Sequence, residues 1–281
     1  MAFTLMQRRR SGQPQQGTAI DRGNPIARGL AFLSIPQGSM LVNMVSGARG
    51  TLSGTTPPSL TYTQSSTRAL SHAGSGATNS YVDFGNSVDT SDFALGPMTV
   101  FAWGAPTGQG GIAERNDNNS VNAGWLFGVD SNSNLKFLHE HSSTNHIAVS
   151  GGVLASGVAT SMAVTYAGSG GALNFYQAGG TGGGSIPVTS GVGTPGSDAA
   201  NSLYIGRNSF ASGGQSSAGS FAGVLEFVAI WRRVLSGSEI AALHANRYQL
   251  FTAPSPISLL ALGVAGPGGA ATARPQVFVC T

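Results

Sequence analysis

Cysteine, lysine and charge are scarce in this sequence. Of its 281 residues only Cys280 is a cysteine, so an intramolecular disulfide is excluded, and burial and strand pairing must hold the fold. Charged residues make up 9% of the chain, Lys136 is the single lysine, and the formal net charge is +3. So small a charge excess gives no indication of a nucleic-acid partner, which requires a strongly basic surface.

Long apolar runs are also missing. The longest, residues 257–266, is far shorter than the ~20 residues that a membrane-spanning helix needs. Residues 1–5 are too short for a signal peptide, and Arg8, Arg9 and Arg10 follow them instead of preceding them. The sequence therefore predicts no membrane insertion and no export signal. Such a protein works inside the cell, or leaves it by lysis or as part of a particle.

Glycine, by contrast, is abundant, with 42 copies among aliphatic residues that are spread along the whole chain. This composition is typical of many short strands and turns, because disordered chains combine high charge with few apolar groups. The chain is long enough for one large β domain.

Residues 221–251 show the clearest local pattern. Residues 221–231 are apolar, small or β-favouring apart from Glu226, which predicts a strand buried on both faces. Ser236 and Glu239 then form a capping box that begins a short helix, the one convincing helix in the chain.

Upstream of this stretch, the pattern predicts a series of short strands. The best-defined pair is a hairpin of residues 125–129 and 135–139, joined by the turn-forming residues 130–134. Residues 179–200 are rich in Gly, Ser, Thr and Pro and are interpreted as a long surface loop. Other strands are predicted at residues 28–35, 59–64, 68–72, 80–84, 98–103, 111–116, 147–149, 159–166, 172–177 and 203–206.

Two of these strands carry more detail. Residues 111–116 are short and are predicted to lie at a sheet edge. Within residues 80–84 the alternation places Tyr81 and Asp83 on one face and Val82 on the other.

Three motifs occur in a fixed order along the chain. Residues 28–32 (RGLAF) with 47–53 (GARGTLS) come first, residues 202–207 (SLYIGR) follow, and residues 221–243 contain FxGxLExVxIWxRxLSxxEIxxL. Together they resemble the first strand and turn, the penultimate strand, and the closing strand and helix of laminin-G-like, concanavalin A-type jelly rolls. The resemblance implies an all-β fold over residues 24–251: a two-sheet antiparallel jelly-roll sandwich with one short C-terminal helix.

The resemblance leaves residues 1–23 and 252–281 as extended N- and C-terminal arms, predicted to make assembly contacts. The basic run at residues 8–10 suits an acidic partner or an anionic surface, and a solvated arm is the alternative. Val277, Phe278 and Val279 form a strand-like piece that would extend a neighbour's sheet edge or, equally, pack on its own domain.

Histidines near the predicted hairpin suggest one metal site. His139 and His141 would share a strand face, and His146 would approach across a turn, giving three nitrogen ligands. The alternative is that they are polar residues at the rim of the hairpin.

Asp- and Asn-rich turns suggest a second metal site. Asp117, Asn118 and Asp130 supply the oxygen ligands that calcium prefers. The resemblance to laminin-G-like domains implies calcium at one rim of the sandwich. Turn formation alone is the alternative explanation for these residues.

Aromatic side chains would supply stacking surfaces for sugars. We predict core positions for Trp103 and Trp231, and glycan binding by Trp125 and Tyr176, although a core position for Trp125 stays open. Tyr166 is a further candidate.

Catalytic patterns are missing from the sequence. Retaining glucanases that share this fold carry Glu-x-Asp-x-x-Glu or a close variant on one strand, so that alternate acids share a face. Here Glu114, Glu140, Glu226 and Glu239 are isolated, and the Glu226 carboxylate has a structural role. No Gly-x-Ser-x-Gly turn and no glycine-rich phosphate loop precedes a helix. The sequence predicts a protein without enzymatic activity.

The predicted function is that of a virion structural protein of a tailed phage, a capsid decoration or fibre-type component whose jelly roll projects for adhesion to host glycans. Residues 21–30 and 246–251 resemble those of laminin-G-like proteins encoded in phages and prophages. The predicted partners are neighbouring virion proteins, further copies of the chain as a homo-oligomer, and host surface glycans. The alternative is a stand-alone carbohydrate-binding module assisted by calcium.

Overall fold

Two antiparallel β-sheets, packed face to face, form the body of the protein in its computed structural model. The structure describes residues 13–14, 18–37, 40–63, 67–74, 80–86, 93, 95–115, 124–143, 145–168, 172–181, 185–189, 193–209 and 219–252. No helix among these residues is long and apolar enough to cross a membrane.

One sheet, the front sheet, is a continuous ladder of antiparallel strand pairs. Its strands in spatial order are β3 (Arg49–Ser53), β6 (Tyr81–Asp83), β16 (Leu203–Ile205), β8 (Gly110–Arg115), β9 (Trp125–Val129), β10 (Asn134–His139), β11 (His146–Val153) and β15 (Ser185–Thr189).

The other sheet, the back sheet, is built around its longest strand. Its strands in spatial order are β4 (Ser59–Tyr62), β5 (Arg68–Ala73), β17 (Ala222–Trp231), β7 (Met98–Pro106), β12 (Thr160–Tyr166), β13 (Leu173–Gln177) and β14 (Gly180–Thr181). Two more strands, β1 (Leu30–Gln37) and β2 (Met40–Asn43), continue the sheet beside the second half of β17.

β17 is the centre of the back sheet, and its burial follows from its apolar sequence. It pairs with β7 along one side, and with β5 and then β1 along the other. Only Ala222 and Val224 are partly exposed. At its end the Trp231 indole Nε1–H donates to the carbonyl oxygen of Ile26 at 2.7 Å. The prediction of a strand buried on both faces is confirmed.

β3 connects the two sheets. Its first residues pair with β2 in the back sheet, and Thr51, Leu52 and Ser53 pair with β6 in the front sheet. One side of the sandwich is therefore closed by a shared strand.

Aliphatic and aromatic side chains fill the space between the sheets. Phe127 and Phe137 from the front sheet and Val100 and Phe175 from the back sheet belong to the same hydrophobic cluster, and all four are fully buried. A cavity of about 10 Å³ next to Leu70 has room for one water and is too small for an organic ligand.

A second apolar cluster covers the outer face of the back sheet. The helix α1 (Gly237–Ala245) lies on it through Ile240 and Leu243, and Ile20 joins it from the N-terminal side. The predicted capping box is confirmed: Ser236 accepts from the Glu239 amide, and the Glu239 carboxylate accepts from the Ser236 amide at 2.8 Å. Two 3₁₀ turns, Pro25–Ala27 and Arg247–Leu250, flank the cluster.

The fold prediction is confirmed as an antiparallel sandwich with one short helix, but some strand predictions are wrong. β8 is not an edge strand, because it pairs with β9 on one side and β16 on the other. The segment interpreted as a surface loop at residues 179–200 contains β14 and β15, which are end strands of the back sheet and the front sheet respectively. The Gly- and Ser-rich composition of residues 179–200 is typical of a loop, so the sequence pattern does not indicate these two strands.

Candidate functional site

Only part of the front sheet's outer face is open to solvent. On β9, β10 and β11 that face carries Leu126, Leu138 and Ile147, which are buried. On β3, β6 and β16 it carries partly or fully exposed residues. We call this set the open strip; it consists of Thr51, Ser53, Tyr81, Asp83 and Tyr204.

The register of the strands aligns these side chains in a row. Thr51 pairs with Asp83, Asp83 with Tyr204, and Tyr204 with Glu114. Neighbouring strands lie about 4.8 Å apart, so the row presents a hydroxyl, a carboxylate and a phenol at regular spacing. The inward residues Val82, Leu203 and Ile205 are buried in the core and fix the direction in which the row points.

Two tyrosines form the aromatic part of the open strip. The rings of Tyr81 and Tyr204 meet edge to face, with centroids 5.6 Å apart and planes at 81°. The Arg207 guanidinium lies 4.0 Å from the centre of the Tyr204 ring, a cation–π distance. Since β-strand backbone and this stacked arginine hold both rings, they are presented in one orientation.

Arg207 is itself held by a buried carboxylate. Its Nε lies 3.2 Å from Glu114 Oε1, and the other oxygen of Glu114 accepts from the Ser209 amide at 2.9 Å. Burial raises the pKa of Glu114 to about 7, although the bonds from Ser209 and the charge of Arg207 act in the opposite direction. The contacts of Glu114 with Arg207 and Ser209 hold residues 207–209 against the front sheet next to the open strip.

The open strip retains unused hydrogen-bonding capacity. Asp83 Oδ1 accepts from the Gly85 amide at 2.7 Å, while its Oδ2 and the phenol groups of Tyr81 and Tyr204 have no partner in the described structure. A carboxylate oxygen and two phenols can each bond to hydroxyl groups of a ligand.

Trp125 and Tyr176, the residues predicted to stack on sugars, lie elsewhere. Trp125 is fully buried and donates its Nε1–H to Asp198 Oδ2 at 3.0 Å. Tyr176 is 8% exposed and packs in the cluster beneath α1. In these positions neither ring face is accessible to a sugar, so the stacking role does not fit them.

Other predicted aromatic positions are partly corrected. Trp231 is buried as predicted. Trp103 is only partly buried: it packs at the border of the second cluster, with the Arg247 guanidinium 4.4 Å from its ring centre and the His244 ring 5.2 Å away. Tyr166 is buried beside His139.

Asp130 stabilises its own turn. Its Oδ1 accepts from the amides of Asn132 and Asn134, at 2.9 and 2.8 Å. Asp117 and Asn118, the other two predicted calcium ligands, lie outside the described residues, as do Arg8 to Arg10 and Val277 to Val279 of the arms. The calcium site and the arm contacts therefore stay predictions.

The histidines do meet, but as a buried hydrogen-bonded pair. His139 Nδ1 lies 2.9 Å from His141 Nε2, and His141 Nδ1 lies 3.1 Å from the Gly193 carbonyl oxygen. His146 is opposite His139 in the ladder, and burial lowers its pKa. No set of three His, Cys, Asp or Glu side chains among the described residues is arranged to hold a metal. The burial of His139 and His141 also corrects the alternative of polar rim residues for these two, whereas His146 is only partly buried.

Two buried side chains that could be considered for catalysis, Glu226 and Ser161, have structural partners. Glu226 pairs with Arg247 and accepts from the Tyr248 hydroxyl at 3.2 Å. Ser161 Oγ lies 2.9 Å from His244 Nδ1, yet Ser161 is 1% exposed and accepts from the Gly179 amide. A serine so placed cannot approach a substrate.

The comparison with protein families identifies the fold. A model of the concanavalin A-like lectin/glucanases superfamily matches residues 74–241, more than half of the chain. The chain belongs to this superfamily. A comparison with curated protein sequences gave no significant match.

Solved structures with the same concanavalin A-like fold have little sequence in common with this chain. The binding domain of Paraclostridial Mosquitocidal Protein 1 has a TM-score of 0.58 at 12% identity, over 80% of this chain and 53% of its own. Domain 4 of the arabinanase AbnA from Geobacillus stearothermophilus has a TM-score of 0.54 at 13% identity, over 77% of this chain and 98% of its own. Botulinum neurotoxin type C has a TM-score of 0.53 at 18% identity, over 78% of this chain and 51% of its own. The chain thus spans about half of the two toxin chains, and these similarities show the fold alone.

Proposed function

We propose that this concanavalin A-like domain binds carbohydrate at the open strip without cleaving it. The observation that carries the proposal is the solvent-facing pair Tyr81 and Tyr204 beside Asp83, with hydrogen-bonding groups that the described protein leaves unused. Binding sites for small molecules combine aromatic surface with a few placed polar groups, and an exposed sheet face suits an extended glycan.

The charge of the open strip favours neutral sugars. Asp83 brings a carboxylate, and the Arg207 guanidinium contacts the buried Glu114 carboxyl group. An acidic sugar would face the Asp83 carboxylate, whereas the hydroxyl groups of a neutral sugar can donate to it.

Two structural neighbours are consistent with glycan binding. The arabinanase domain was solved in complex with arabinotriose, and cell entry of neurotoxin type C depends upon interaction with two ganglioside molecules. The proposal of binding without catalysis is supported by the structural partners of Glu114 and Glu226 and by the burial of Ser161.

Replacing Tyr204 or Tyr81 with alanine is expected to weaken glycan binding about tenfold or more, because aromatic anchors dominate recognition energetics. A glycan array of neutral and sialylated sugars would identify the ligand, and titration calorimetry would measure the loss. Tyr62→Ala is the matched control, since Tyr62 is 66% exposed and lies outside the open strip.

Binding of neutral glycans is expected to survive a chelator, because the open strip requires no metal. Selective binding of sialylated glycans, or full affinity in both tyrosine variants, would contradict the assignment. Chelator-sensitive binding would instead favour the calcium-assisted module.

We further propose that the domain serves as an adhesion component of a tailed-phage particle, as the N-terminal arm and the phage-type motifs suggest. Deleting residues 1–12 is expected to abolish incorporation and to leave the domain folded, because Gln13 already bonds to Pro36 and Arg68. Quantitative mass spectrometry of purified particles checks this. Absence of the full-length chain, or unchanged incorporation of the deletion variant, would contradict the proposal.

A further inference from the structure

The edge strand β4 is unusually open. In the described structure it pairs with β5 alone, and none of its residues has a further hydrogen-bonding partner. Leu60 and Tyr62 lie on one side of it, and their exposed fractions are 41% and 66%. Natural edge strands are usually protected by charged residues, prolines or bulges. Between Ser59 and Tyr62 there is none of these.

The C-terminal segment of the chain has the composition of a matching strand. Residues 276–280 read QVFVC: β-branched and aromatic residues without charge. The segment and β4 are of similar length, at five and four residues. An added strand would cover Leu60 and Tyr62 and satisfy the free backbone groups of β4.

The geometry of the N-terminal side sets the distance that the C-terminal segment has to cover. The Thr252 amide donates to the Ala19 carbonyl at 3.0 Å, and Gln13 Oε1 accepts from the Arg68 amide at 2.7 Å. Arg68 is opposite Tyr62 in the β4–β5 ladder. The six residues from Gln13 to Ala19 span at most about 21 Å. The length of the Gln13 side chain and the spacing between β5 and β4 are added to this span. Thr252 therefore lies within roughly 35 Å of Tyr62.

The intervening chain fits that distance. Residues 253–275 separate Thr252 from the QVFVC segment. A flexible chain of that length has a root-mean-square span of about 27 Å. When the span of a linker matches the separation of two sites, the effective concentration is near its maximum, in the millimolar range. The chain's own segment would therefore outcompete that of another copy.

We propose that β4 takes residues 276–280 of its own chain as an additional strand of the back sheet. Of the two alternatives that the sequence leaves open for this segment, the geometry favours its own domain. This assignment does not depend on glycan binding.

Cys280 allows a direct test in the full-length chain, because it is the only native cysteine. Ser59→Cys and Thr61→Cys place a second thiol at two positions along β4. Mild oxidation is expected to give an intramolecular disulfide in at least one variant, at a rate that does not depend on protein concentration. Ser131→Cys, in the exposed turn before β10, is the matched control and is expected to stay reduced.

Non-reducing gels and peptide mass spectrometry distinguish the outcomes. A monomer with a linked Cys280 peptide supports the proposal. A disulfide-linked dimer would assign β4 to a second copy and overturn it. Cross-linking no faster than in the Ser131 variant would overturn strand addition altogether.

Hydrogen exchange gives a second measurement without cysteines. Phe278→Asp is expected to raise the exchange of those β4 amides that do not bond to β5 by about tenfold or more, because it introduces charge into the added strand. Leu260→Asp, in the intervening chain, is the control and should leave these amides unchanged. Identical exchange in the wild type and the Phe278 variant would contradict the proposal.

Discussion

Replacing Arg115 with methionine is expected to destabilise the protein by about 3–5 kcal/mol, since it removes one partner of a buried ion pair. Arg115 and Asp198 are both fully buried, and Arg115 Nη1 lies 3.6 Å from Asp198 Oδ1. Arg115 also donates to the carbonyl oxygens of Asn201 and Ala199, at 2.9 and 3.1 Å. The variant would remove the cation that faces the buried Asp198 carboxylate, which also accepts from the Trp125 indole.

A double-mutant cycle separates lost charge pairing from lost packing. Adding Asp198→Asn to Arg115→Met removes the buried negative charge and keeps an oxygen acceptor for Trp125. The double variant should therefore recover a large part of the stability that Arg115→Met loses. Arg28→Met, at an exposed position, is the control and should change stability by less than about 0.5 kcal/mol. Chemical denaturation measures each value. A cost below about 1 kcal/mol for Arg115→Met would show that the pair is not needed for the fold.

Two buried groups are expected to give opposite pH dependences of stability. Burial raises the pKa of Glu114 to about 7 and lowers that of His72 to about 4. Folded Glu114 therefore binds more protons than the unfolded chain between about pH 4.5 and 7, so its contribution to stability falls as pH rises. Folded His72 binds fewer protons between about pH 4 and 6.5, so its contribution rises with pH.

Each pKa shift corresponds to a change of about 3 kcal/mol in the free energy of unfolding. The two changes have opposite signs and largely cancel between about pH 4.5 and 6.5. The free energy of unfolding of the wild type minus that of Glu114→Gln should fall by that order from about pH 4.5 to 7. The corresponding difference for His72→Gln should rise from about pH 4 to 6.5. Denaturation curves at several pH values measure both, and a difference independent of pH in either case would contradict the shift assigned to that group.

Local patterns predicted much of the fold. Strand-forming residues on both sides of a turn-forming run identified β9, β10 and the turn between them, and Ser236 with Glu239 marked the beginning of α1. Sheet order could not be obtained in this way, because periodicity describes one strand at a time. β8 was therefore wrongly predicted to lie at an edge.

The candidate site was only partly predictable. The sequence placed Tyr81 and Asp83 on one face of a strand, which is correct. Tyr204 and Arg207 are more than 120 residues further along the chain, and only the pairing of β6 with β16 brings them together. Trp125 was predicted to bind glycans, which requires an accessible ring. The sequence of the hairpin alone does not show that Asp198 and Phe93, which are distant in the chain, contact the Trp125 side chain. The pattern that could have indicated the site is the position of Tyr204 between the apolar residues Leu203 and Ile205, which places its side chain on the opposite face of the strand.

The bridge between Ile20 and Phe251 has a mechanical consequence. The chain enters and leaves the sandwich side by side, joined there by the Thr252 amide and the Ala19 carbonyl. A pulling force applied at Ala19 and Thr252 would load this contact first and separate the two segments one hydrogen bond at a time, before any load reached β17.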